Sequence, residues 1–134
     1  MTRAPLVAVL VAALPACAST VDPSIAASVD TGAEVTSAPI PPEASLVELV
    51  GELAATMRHL DEQVIEGGDS DDETLARVEE IWARAMPRAR DHSIDMEFGL
   101  EQAVNLARTS VQRRRPADAS KGYKIAAALL TSLE

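Results

Sequence analysis

The chain has few aromatic residues and few cations, and both shortages exclude common binding chemistries. Trp82, Phe98 and Tyr123 are the only aromatic residues, so neither a base-stacking surface nor a sugar-binding face of aromatic rings is expected. Lysine and arginine number 12 against 21 acidic residues, giving a formal net charge of −9 at pH 7. Affinity for nucleic acid comes largely from Lys and Arg on phosphates. The composition therefore predicts a protein that does not bind nucleic acid.

Cysteine is almost absent, and the position of the one cysteine is informative. A single thiol excludes an intrachain disulfide and a site with several cysteine ligands. Cys17 follows the apolar run Leu6–Leu14, with Arg3 upstream of that run. A membrane-spanning helix needs about 20 apolar residues, whereas the apolar region of an export signal has about 7–15. The run therefore predicts an export signal and not a permanent span.

The segment Leu14-Pro15-Ala16-Cys17 resembles the lipobox of bacterial lipoprotein precursors. The resemblance implies cleavage between Ala16 and Cys17 and lipidation of Cys17 with diacylglycerol and palmitate. Because one acyl chain gives only marginal membrane binding, several chains on Cys17 would form the whole anchor. The implied location is the cell envelope, with the protein facing the periplasm or the exterior. Two alternatives remain: a secretory signal cleaved after Ala16 or Ala18, and a cytosolic protein with an apolar N-terminus.

Three segments follow from these patterns. Residues 1–16 are predicted to be the signal peptide, and residues 17–44 the lipidated cysteine and a disordered linker. The linker is rich in proline, alanine and serine and has no apolar period, so it cannot offset the entropy lost on ordering. Residues 45–134 are predicted to form one folded domain with a modest core.

The folded domain is predicted to be all-α, an up-down four-helix bundle. Its apolar residues recur in steps of three and four, the spacing of one buried helix face, and no strand pattern occurs. Short connections favour antiparallel neighbours. The predicted buried faces are Leu46, Val50, Leu53, Met57, Leu60 and Val64; Leu75, Val78, Trp82, Ala85 and Ala89; Met96, Leu100, Ala103, Val104, Ala107 and Val111; and Ala119, Tyr123, Ala126, Leu130 and Leu133. All three aromatic residues are expected in the core.

Local signals predict where the helices begin and end. Capping boxes at Ser45–Glu48 and Ser70–Glu73 predict the first two starts. Gly67–Gly68 predicts the end of the first helix, and Pro87 predicts a kink or an end of the second near Met86. The third helix is expected over 94–114 and the fourth from 116 onward.

Four soft ligands are the candidates for a metal or haem site: Met57, His59, His92 and Met96. Histidine and methionine together suit copper or a haem iron, and His92 and Met96 have the spacing of neighbours on one helix face. In exported haem-binding four-helix bundles, however, the ligands come from the first and last helices, and the last helix here has neither residue type. No cofactor is therefore predicted.

Other charged motifs have structural interpretations. Asp69–Glu73 has part of a calcium-loop spacing, but Thr74 stands where the loop needs glycine, so an acidic helix start is predicted. Arg113–Arg115 is predicted to be a cationic helix C-terminus.

Catalytic motifs are absent from the sequence. Paired Glu-x-x-His, His-Glu-x-x-His, phosphate-loop and Gly-x-Ser-x-Gly patterns do not occur. We therefore predict an envelope lipoprotein that is not an enzyme, has no evident small-molecule ligand and binds another envelope protein. The alternative is an exported metal- or haem-binding four-helix bundle.

Overall fold

The computed structural model describes residues 38–134, which are all-α and contain no strand. The helices are α1 (Leu46–Met57), α2 (Leu60–Glu66), α3 (Ser70–His92), α4 (Ile94–Gln112) and α5 (Pro116–Leu133). The long helices pack in the cyclic order α1, α3, α4, α5. The predicted all-α helical bundle is therefore confirmed. Within this part of the chain, no helix is long and apolar enough to cross a membrane.

Neighbouring helices run antiparallel. Gly51 of α1 lies against Leu130 of α5, whereas Met57, further along α1, lies against Gly122, nearer the start of α5. A single residue, Ser93, joins α3 to α4, which forces the chain to reverse there. The bundle consequently has one end formed by α2 and the start of α5, and an opposite end formed by the α3–α4 connection.

The predicted continuous first helix is wrong, because Arg58–His59 separate α1 from α2. The apolar face nevertheless survives the break, since Met57 and Leu60 on either side of it are both fully buried. The segment α2 packs against α5, where the Ser120 hydroxyl donates a 2.6 Å hydrogen bond to Asp61 Oδ2. These contacts require that the apolar face is buried, but they do not require that the helix is unbroken.

An end of the second predicted helix near Met86 is also wrong, because α3 continues through Pro87 to His92. Proline removes one helical hydrogen bond, but Pro87 lies on the exposed side of α3. Ala85 and Ala89, on the inner side, are both fully buried. The free energy gained by packing the inner face of α3 thus outweighs the loss of the backbone hydrogen bond that Pro87 cannot donate.

One of the two predicted capping boxes is present. The Ser45 hydroxyl accepts from the Glu48 amide, and the Glu48 carboxylate accepts from the Ser45 amide at 2.7 Å. The box predicted at Ser70 is wrong, because α3 begins one residue earlier, with Asp69 as N-cap and no side-chain cap. The Asp69 carbonyl instead accepts from the Glu73 amide at 3.0 Å. Glycines at 67 and 68, both with positive φ, follow α2 as predicted.

This difference between the two helix starts is testable. Ser45→Ala is expected to lower the free energy of unfolding by about 1 kcal/mol at pH 7, whereas Ser70→Ala changes it by less than about 0.5 kcal/mol. Urea unfolding of both variants checks this. Equal losses for both would contradict the assignment of the caps.

The Ser45 cap also has a pH dependence with a defined sign. Hydrogen bonds from the backbone amide and then the hydroxyl of Ser45 lower the pKa of Glu48 below 4.5. A group whose pKa is lower in the folded than in the unfolded state stabilises the fold at pH values above its unfolded pKa. That stabilisation is lost as the pH falls through the folded pKa. The effect of Ser45→Ala is therefore expected to be smaller at pH 3 than at pH 7.

Residues 38–44, here called the strap, pack along α3 before α1 begins. Their composition assigned them to the linker, yet Ile40 is only 3% exposed and Ala44 is also buried. Three α3 arginines bind alternate strap carbonyls: Arg77 Nη2 to Ala38 at 2.6 Å, Arg84 Nη1 to Ile40 at 2.7 Å, and Arg88 Nη2 to Pro42 at 3.0 Å. The folded part thus includes residues 38–44. The predicted signal peptide and residues 17–37 of the linker lie outside the described residues.

Candidate functional site

Phe98 is the main departure from the predicted core, because its side chain is 68% exposed. It lies two residues from both Met96 and Leu100, which are buried on the inner face of α4. Two residues correspond to about 200° of rotation around a helix, so Phe98 points away from that face. The spacing was visible in the sequence, but the expectation that a rare aromatic residue packs inside was wrong. Trp82 and Tyr123 do pack against the core, both partly buried.

Exposed apolar side chains continue along the outer side of α4. Ile94, one turn before Phe98, is 79% exposed, and residues four apart are neighbours on a helix surface. Beside them is an open hollow of about 370 Å³. It is lined by Phe98, Glu101, Gln102, Asn105, Leu106 and Thr109. We call these residues and Ile94 the α4 surface.

A second hollow, of about 470 Å³, lies between α3 and α4. Its lining is Trp82, Ala83, Met86, Pro87, Arg90, Glu97 and Glu101. Glu101 thus borders both hollows. The Arg108 guanidinium lies 4.8 Å from the centre of the Trp82 ring, a cation–π contact that fixes this ring. The two hollows form one continuous uneven face rather than an enclosed pocket.

The charges around this face are mostly paired. Arg90 binds Glu97 through Nε at 2.9 Å and Nη2 at 2.7 Å, and these hydrogen bonds raise the pKa of Arg90. Arg108 binds Glu79 at 2.7 Å. Within residues 38–134, Glu101 has no ion-pair partner. Its carboxylate can therefore form an ion pair with a cationic side chain of a partner protein.

One ion pair joins the acidic start of α3 to the arginine run at the other end of the bundle. Asp71 is fully buried and binds Arg114, which has a left-handed φ of 51°. Arg115 binds Asp118 at 3.2 Å. The acidic start of α3 is present as predicted. The prediction of a cationic helix C-terminus at Arg113–Arg115 is wrong, because α4 ends at Gln112 with Arg113 as its C-cap and has no basic residue in its last turn.

The four candidate metal ligands are not brought together. Met57 and Met96 are buried, at the end of α1 and the start of α4. His59 lies in the break between α1 and α2, and His92 ends α3, so the two exposed histidines lie at opposite ends of the bundle. In the described part of the chain, no group of three His, Cys, Asp or Glu side chains has the arrangement of a metal site. The His92–Met96 spacing fails as a helical pair because the helix is interrupted at Ser93.

The residues predicted for cleavage and lipidation, Ala16 and Cys17, lie outside the described residues, so their assignment rests on the sequence. Comparisons with protein-family models, with curated proteins and with solved structures found no match to this chain. The residues that resemble a lipobox and the α4 surface are therefore the features from which a function is inferred.

Proposed function

We propose that this protein is a bacterial envelope lipoprotein whose helical domain binds another envelope protein through the α4 surface, without catalysis. The lipobox ending in Cys17 supports the anchor and the location. The observation that supports binding is the exposure of Phe98 beside Ile94 at the edge of a hollow. Single exposed apolar residues are common on soluble proteins, whereas contiguous exposed apolar surface marks interaction sites, and Ile94 and Phe98 are neighbours on the surface of α4.

Folding alone buries little of the apolar surface of these two side chains. Full burial of a large apolar side chain contributes about 1.5–3 kcal/mol, and neither Phe98 nor Ile94 receives that contribution in the bundle. A partner that covers both would provide it. Aromatic side chains at the centre of an interface contribute a large share of its binding energy. Phe98 is therefore the expected anchor of the interface.

The surrounding groups restrict the partner. The rim contains the amides of Gln102 and Asn105, and the Glu101 carboxylate has no partner among the described residues. An apolar helix that carries one Lys or Arg would cover Phe98 and pair that cation with Glu101. This is the helix-in-groove mode of recognition, in which apolar anchors recur along one helix face.

Photo-crosslinking from position 98 tests the proposal. With a photoreactive residue replacing Phe98 in the full-length chain in native membranes, we expect one discrete adduct with another envelope protein. Ile65 provides the matched control, because it is also a large apolar residue, 72% exposed, but belongs to α2 at the other end of the bundle. Position 65 is expected to give no such adduct.

A charge reversal provides the second arm of this test. Glu101→Arg in the position-98 variant is expected to reduce the adduct yield by roughly tenfold, which corresponds to about 1.4 kcal/mol of binding free energy. Equal adducts from positions 65 and 98, or an adduct that is insensitive to Glu101→Arg, would contradict binding at the α4 surface.

A further inference from the structure

The strap is recognised mainly through its backbone. Arg77, Arg84 and Arg88 lie on one side of α3 and donate to the carbonyls of residues 38, 40 and 42. Eleven residues of helix span about 16 Å, and four residues of extended, proline-rich chain span about 12 Å. The reach of the arginine side chains accommodates this difference. The arginine spacing therefore fits every second carbonyl of the strap, the last of which, that of Pro42, lies in the turn before α1.

One side chain anchors the strap. Ile40 is buried in the core cluster, whereas Pro39, Pro41 and Pro42 are exposed. Prolines lack an amide hydrogen, so at those positions the strap has only carbonyls that require partners. A turn closes the segment, with the Ala44 amide donating to the Pro41 carbonyl at 3.2 Å. The recognised features are thus a proline-rich backbone that ends in a turn and one aliphatic residue between prolines.

The arginines are held in place by groups outside the strap. Arg77, only 8% exposed, binds Glu52 of α1 and, at 2.9 Å, Glu80 of α3. Its burial opposes protonation, but the hydrogen bonds and charges of these two carboxylates outweigh that effect and raise the pKa of Arg77. Arg84 lies 3.7 Å from Glu80 as well. Arg88 Nη1 donates to the Arg84 carbonyl at 3.0 Å. Each of the three arginines of this arginine row therefore has a contact that does not depend on the strap, and Arg77 is the most firmly held of them.

The site also contains an unused donor. Arg77 Nε is buried and has no hydrogen-bond partner among the described residues. A buried donor without a partner is costly in a folded protein. The strap therefore leaves one donor of the arginine row unsatisfied, and a partner that brought an additional acceptor would be favoured there.

We propose that the α3 face lined by Arg77, Arg84 and Arg88, together with the space filled by Ile40, is a binding groove for an extended proline-rich segment of a partner protein. The strap occupies this groove in cis. Proline-rich segments are suited to such recognition because they are already extended before binding. The groove is distinct from the α4 surface, and the proposal does not depend on it.

Because the strap occupies the groove in cis, it regulates the binding of a partner segment there. A ligand in the same chain has an effective concentration in the millimolar range. A partner segment can therefore enter only when it is locally concentrated or when the strap is weakened. Release of the strap would also add seven residues to the chain between Cys17 and the bundle.

The test uses a labelled peptide with the sequence of residues 36–44, Thr-Ser-Ala-Pro-Ile-Pro-Pro-Glu-Ala. The receptor is the full-length chain carrying Ile40→Asp, which weakens its own strap. We expect saturable binding by fluorescence anisotropy, roughly tenfold or more tighter than to the unaltered chain, because the cis competitor is removed. The matched control is Ile65→Asp, the same change at an exposed position outside the groove, which is expected to behave like the unaltered chain.

Two further controls define the chemistry. Adding Arg84→Gln and Arg88→Gln to the Ile40→Asp chain is expected to abolish binding, and so is replacing the isoleucine of the peptide with aspartate. Ile40→Ala, which keeps an apolar side chain, covers the case in which Ile40→Asp does not fold. It is expected to bind the peptide less tightly than Ile40→Asp but several-fold more tightly than the unaltered chain.

Three results would overturn the proposal. The first is no peptide binding by an Ile40 variant that unfolds cooperatively on heating. The second is binding that is indifferent to the two Arg→Gln changes. The third is a concentration-dependent dimer of the unaltered chain that exchanges straps, which would assign the groove to a second copy instead.

Discussion

Gly122→Ala is expected to lower the free energy of unfolding by about 1–2 kcal/mol, although alanine normally stabilises a helix relative to glycine. A Cβ at this position would lie 2.7 Å from Met57 Cε and 2.8 Å from the Ala103 carbonyl oxygen. The methionine tip can move, but the carbonyl belongs to the backbone of α4. Alanine would therefore force α4 and α5 apart at this contact. Overpacking of this kind costs about 1–3 kcal/mol, and the better helix propensity offsets about 0.5–1 kcal/mol of it.

Gly51→Ala is the matched control, because Gly51 lies inside α1 and has room for a methyl group. The nearest atom to its added Cβ is Leu130 Cδ1 at 3.8 Å, an ordinary contact. This variant is expected to gain about 0.5–1 kcal/mol. Urea unfolding of both variants is the measurement. If both changes stabilise the protein, the close approach of α4 and α5 at Gly122 is incorrect.

Cys17→Ala is expected to release the protein from the membrane fraction and to block signal cleavage. The variant removes the only thiol in the chain, and with it the site for the acyl chains that would form the anchor. Stable attachment through acyl groups needs more than one chain, and the apolar run Leu6–Leu14 is too short for a permanent span. Fractionation with immunoblotting, which also resolves precursor from mature protein, measures both effects.

A displaced thiol provides the control for this experiment. The double variant Cys17→Ala, Ser19→Cys restores one cysteine but places it two residues beyond position 17, so that it no longer directly follows Leu14-Pro15-Ala16. It is expected to behave like Cys17→Ala, because lipidation depends on the position of the thiol. Membrane association and normal processing in either variant would exclude a lipid anchor at Cys17.

The bundle could be predicted from the sequence because burial of a helix face leaves a periodic pattern. Val78, Leu100 and Ala107 are all fully buried, as their spacing indicated. The break at Arg58–His59 could not be predicted, because the same stripe is buried whether the helix is continuous or not. The continuation of α3 through Pro87 depends on the packing of its inner face, and this packing cannot be predicted from the helix propensities of the local residues.

The two proposed binding surfaces differ in how far the sequence reveals them. Exposure of Phe98 follows from its position two residues from Met96 and Leu100, so the period contained that signal. The strap gave no local signal. Ile40 stands alone among prolines, and its carbonyl is bound by Arg84, 44 residues away. Such a contact leaves no periodic pattern in the sequence, so composition alone placed residues 38–44 in the linker although Ile40 and Ala44 are buried.

The most direct test of the central claim is the intact mass of the full-length protein extracted from native membranes with detergent. The proposed function requires a polypeptide that begins at Cys17 and carries the additional mass of a diacylglycerol group and acyl chains on that residue. An unmodified polypeptide that begins at Cys17 or at Ser19, or one that retains Met1, would contradict the lipid anchor.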